Sequence, residues 1–161
     1  QSFPGPAGSA AGGLPVFASL ARPLNVMFMF ASGTITSTTA MLGAPTFNLT
    51  TVTFIWTADA SGYMTATKTV TPGNWYLYMV ETIPGSPAPT NTYGVTLTNT
   101  AGTDLLGGAG ASRSSSTKQI VMPTLNSITT PTVVTNSLIL TISGNTDANA
   151  TGTVKAYLMR K

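Results

Sequence analysis

Val95-Thr-Leu-Thr-Asn-Thr100 alternates threonine with other side chains, and Thr34-Ile-Thr-Ser-Thr-Thr39 opens on the same two-residue period. In extended backbone that period sends successive side chains to opposite faces, and β-branched residues fit a pleated strand better than a helix. Working outward from these runs, the pattern returns about every ten residues, with clusters of Gly, Pro, Asn or Ser between repeats. Strands are predicted near 25–31, 33–41, 48–57, 63–70, 74–82, 92–99, 118–122, 137–143 and 152–159, and no segment carries a helical period. Short strands joined by short turns predict an all-β fold, a β-sandwich or jelly-roll-like antiparallel domain.

Within Trp75-Tyr-Leu-Tyr-Met79 the alternation assigns Trp75, Leu77 and Met79 to one face and Tyr76 and Tyr78 to the other. Both faces are large and apolar, which predicts a central strand. Phe54 and Trp56 share a face of an earlier strand, and Leu138, Leu140 and Ile142 share one of a later strand, so these are core candidates. Asp59-Ala-Ser-Gly62 and Thr71-Pro-Gly73 read as tight turns. Asp bonds to backbone ahead of it, Pro presets φ, and Gly supplies the left-handed residue.

Residues 1–23 form a Pro/Gly-rich segment, with Pro4-Gly-Pro6 and Gly8-Ser-Ala-Ala-Gly-Gly13. That composition buries too little apolar area to order itself, which predicts an extended or flexible arm. Phe3, Leu14, Val16, Phe17 and Leu20 are spaced along it and are the candidate assembly residues, suited to a tail lying over an adjacent subunit. A disordered leader is the plain alternative. The remaining 24–161 is expected to be one domain.

Among the 161 residues there is no histidine and no cysteine, and the only carboxylates are Asp59, Glu81, Asp104 and Asp147. Disulfides, thiolate zinc sites and most proton-transfer chemistry are therefore excluded, and no cofactor is called for. Charged residues make up 7% of the chain, against about 25% in an ordinary soluble domain. So thin a charged skin predicts a protein that lives assembled. The net charge of +3 comes from cations scattered along the sequence, a poor footprint for nucleic acid. The longest mainly apolar stretch, Leu24 to Ala31, interrupted by Asn25, is far shorter than the roughly 20 residues a membrane-spanning helix needs. Neither nucleic acid nor membrane is expected as a partner. Because the chain begins at Gln1, a trimmed start and a removed signal peptide are both open.

Asp104-Leu-Leu-Gly-Gly-Ala-Gly-Ala-Ser-Arg113 is glycine-rich, yet it lacks the spacing and the following helix of a phosphate-binding loop. It reads instead as a mobile or close-packed loop that lets another backbone approach. The four carboxylates lie apart in sequence, at turns or strand ends, and without histidine a seryl or threonyl nucleophile would need Lys68, Lys118 or Lys155 as its base. Asn48-Leu-Thr50 and Asn149-Ala-Thr151 match the N-glycosylation pattern, which a threonine-rich chain meets by chance. Tyr63, Tyr93 and Tyr157, if exposed, would suit glycan binding.

Trp56-Thr-Ala-Asp-Ala-Ser-Gly62, then Pro84-Gly-Ser-Pro-Ala-Pro-Thr-Asn-Thr-Tyr-Gly-Val-Thr-Leu-Thr98 and Gly102-Thr-Asp-Leu-Leu-Gly-Gly-Ala-Gly-Ala-Ser-Arg-Ser114, precede closing runs at 138–143 and 151–158. In the order of these motifs the chain resembles small structural proteins of tailed bacteriophages, over roughly residues 50 to 160. The resemblance implies a virion component encoded among head and tail genes. It carries no catalytic or ligand residues. Relatives often have Asp where this chain has Asn99, so an acidic or cation site beside Asp104 would be weakened.

The expected function is therefore a non-enzymatic bacteriophage virion protein, a capsid decoration or cement protein that stabilises the particle through subunit contacts. Its partners would be copies of itself, with a trimer among the options, and the major capsid or other virion proteins. Its place would be the virion. The alternatives are a tail or head-to-tail connector component, or an extracellular, cell-surface filament subunit or adhesin that exchanges strands.

Overall fold

The computed structural model describes residues 1, 33–42, 49–64, 67–72, 74–135 and 137–160. The arm expected at 1–23, with Phe3, Leu14, Val16, Phe17 and Leu20, and the strand expected at 25–31 lie, apart from Gln1, outside the described residues.

The described residues contain strands and turns and no helix. Five longer strands carry the frame: β1 (Thr34–Leu42), β2 (Leu49–Thr57), β4 (Trp75–Pro84), β10 (Leu138–Ser143) and β11 (Thr151–Arg160). Six shorter ones complete it: β3 (Lys68–Val70), β5 (Gly94–Thr98), β6 (Gln119–Val121), β7 (Thr124–Leu125), β8 (Ile128–Thr129) and β9 (Thr132–Val134). All pairings are antiparallel. One sheet runs β1-β2-β11-β4-β6, with β9 also on β4; a second runs β3-β10-β5; β7 and β8 form a hairpin of their own. The last strand of the chain is thus inserted between β2 and β4, in the middle of the larger sheet.

Register explains which side chains meet. Val154 stands between Phe54 and Thr82, Ala156 between Val52 and Val80, and Leu158 between Thr50 and Leu77. These residues line the core face. The alternate set of β11, with Lys155 and Tyr157, points to the other face, as strand geometry requires. From the smaller sheet Leu138, Leu140, Ile142, Val95 and Leu97 are buried in the same apolar cluster. Trp56 packs on Tyr93 with ring centroids 5.8 Å apart and planes tilted by 50°.

The expected core at Phe54, Trp56, Leu138, Leu140 and Ile142 is buried. Three local readings need correction. Tyr157 faces Met79 and Leu158 faces Leu77, so Tyr78 is the extra residue of a β-bulge. The bulge resets the face. Leu77 and Val80 enter the core, while Met79 joins Glu81 on the outside, contrary to the strict alternation of Trp75, Leu77 and Met79. Next, among the described residues of the strand expected at 63–70, which are 63, 64 and 67–70, only 68–70 is strand. Finally, three short strands, β7 to β9, occupy a stretch where the sequence predicted none.

The Asp59 turn forms as read. Asp59 Oδ1 accepts from the amides of Ser61 and Tyr63 at 2.8 Å each, and Gly62 takes positive φ.

Candidate functional site

Three of the four carboxylates are occupied within loops, two of them by backbone amides and one by a threonine hydroxyl. Beyond Asp59, Asp104 accepts from the amides of Leu106 (2.9 Å) and Gly108 (2.7 Å). Asp147 Oδ2 accepts from the Thr90 hydroxyl at 2.8 Å. Beside it the buried Asn145 donates to the carbonyls of Gly62 (2.7 Å) and Asp147 (3.1 Å) and accepts from the Thr90 amide. These carboxylates and Asn145 fasten loops. Asn99 behaves likewise, its side-chain oxygen accepting from the amides of Ala101 and Thr103 at 3.0 Å each.

The glycine-rich stretch is a structural brace. Residues 103–113 run beside the edge of β5 that β10 leaves free, through Leu105 N–H to Leu97 O (2.7 Å), Val95 N–H to Gly110 O (2.9 Å) and Arg113 N–H to Tyr93 O (2.7 Å). A Cβ on Gly110 would run into the Val95 carbonyl oxygen; Gly107 takes positive φ and sits against the Thr124 carbonyl. The close-packed reading of this loop therefore holds, and it caps an edge that would otherwise invite another strand.

Glu81 is the exception among the acids, placed in the middle of a strand and not at a turn or strand end. Its carboxylate lies on the outer face of the larger sheet with a side chain 12% exposed. Lys155 approaches it to 3.5 Å, Lys118 to 3.7 Å, and the Tyr157 hydroxyl donates to it at 3.2 Å. Burial, then the charge and hydrogen bond of Glu81, raise the Tyr157 pKa above the ordinary phenol value, with Lys155 opposing. One anion between two cations and a phenol is a satisfied ion-pair network that ties β11, β4 and the residue before β6 together.

Around this cluster the outer face is hydroxyl and hydrocarbon. Thr34, Thr57 and Thr151 stand opposite one another across three strands, as do Thr38 and Thr53 across two. Ile55, Ile120, Val133 and Met159 are exposed on the same sheet. Of the tyrosines proposed for glycan contact, Tyr63 is exposed, but Tyr93 is wholly buried against Trp56, so it offers no surface ring.

The most exposed apolar pair belongs to the hairpin that the sequence reading missed. Asn126 and Ser127 both take positive φ, 49° and 67°, the requirement of the mirror-image turn that joins two strands through two residues. Their neighbours Leu125 and Ile128 face each other and are 63% and 67% exposed. The Asn-Ser pair bracketed by Leu-Ile and by Pro123 and Pro131 was the available signal, but strands of two residues have no period to detect. Elsewhere, β1, β2, β3 and the connection into β4 enclose a cleft of about 360 Å³ lined by residues that include Met41, Thr50, Val70, Pro72 and Trp75.

Comparison of the chain with protein-family models, with curated proteins and with solved structures gives no match. The class that the fold itself defines is an antiparallel all-β domain.

Proposed function

We propose that this chain is a structural protein of a bacteriophage particle, a capsid decoration or cement protein that works by contact and performs no catalysis. On this reading the two sheets form a sandwich of the jelly-roll kind, and the partners are copies of the chain and the major capsid protein. The observation that carries it is the surface. On a chain with 7% charged residues, Met41, Ile55, Ile120, Leu125 and Ile128 are all more than half exposed. Apolar area so placed gains about 25 cal/mol per Å² when a neighbour covers it, and few charges must be stripped of water in the process. Repetition on a shell multiplies weak contacts into firm attachment.

The experiment uses particles assembled without the chain and refilled with purified protein. Saturable binding, with greater resistance of the particle to heat, is expected. No binding at any concentration contradicts the proposal.

A second reading, a secreted filament subunit joined by strand addition, is favoured by one observation. β1 is an edge of the larger sheet, with nine residues and no partner beyond β2 among the described residues. Filaments built that way would protect the β1 amides from hydrogen exchange, and virion attachment through side chains would not.

A further inference from the structure

We draw no further inference here: the strongest candidate, the exposed apolar patch of Leu125 and Ile128 at the tip of the β7-β8 hairpin, carries nothing because nothing in the structure shows what covers it.

Discussion

Two segments of this chain, 103–113 and 122–131, lie within thirty residues of each other and carry two aliphatic side chains each, yet they have opposite fates. Leu105 and Leu106 are buried, because Gly107 and Gly110 let the backbone lie flat against Val95 and Thr124. Leu125 and Ile128 stand exposed on a hairpin whose turn residues hold it away from the core. Apolar content alone does not assign a residue to folding or to contact. Backbone approach does. Where glycine admits a neighbouring carbonyl, the leucines close the fold; where Asn126-Ser127 turns the strand outward, they are available to a partner.

The largest effect is expected at Leu106, which is fully buried: Leu106→Ala should cost about 2–5 kcal/mol in urea unfolding, the usual range for a core leucine. Gly110→Ala comes next, at about 1–3 kcal/mol, because the added methyl must displace β5 or the loop. A Gly110→Ala protein as stable as wild type would mean that the segment does not brace β5 as described. Glu81→Ala should cost about 1 kcal/mol, leaving Lys155 and Tyr157 without their acceptor, and Lys118→Ala less, since that lysine is 63% exposed.

High pH acts on two tyrosines. Tyr157 and Tyr93 both have folded pKa values raised above the ordinary phenol value, the first by burial and Glu81, the second by burial against the opposing pull of Thr82 and Arg113. A raised folded pKa means that the native state holds the proton more tightly. Stability should therefore be intact below the ordinary phenol range, about pH 10, and fall as pH rises through the folded values. Tyr157→Phe should lose less stability over that interval, read by unfolding at a series of alkaline pH values. The smallest effect on stability is expected at the exposed tip of the β7-β8 hairpin. Leu125→Lys and Ile128→Lys should each change unfolding free energy by no more than about 0.5 kcal/mol, as exposed positions do.

Much of the fold was legible in the sequence. β10 and β11 alternate cleanly, as β2 does from Val52 onward, because each buries one face there, and a two-residue period survives wherever that is true. The bulge at Tyr78 was not legible, since the extra residue is defined by its partners on β11 and not by its own neighbours. The Glu81 cluster was hidden for a related reason. Lys118 and Lys155 reach Glu81 only after β6 and β11 pair with β4. The hairpin escaped because its strands are too short to show a pattern. The glycine loop, whose spacing fitted no phosphate site, was read as mobile or close-packed, and the carbonyls of Val95 and Thr124 against Gly110 and Gly107 make it close-packed.

Whether an almost uncharged, hydroxyl-bearing β surface binds its own kind is read most directly by sedimentation velocity of the wild-type chain, across concentration and at both low and high salt. Association that grows with concentration and persists at high salt is predicted, because the contact contains no exposed ion pair to screen. A single 16.5 kDa species at every concentration, with no affinity for particles, would contradict it.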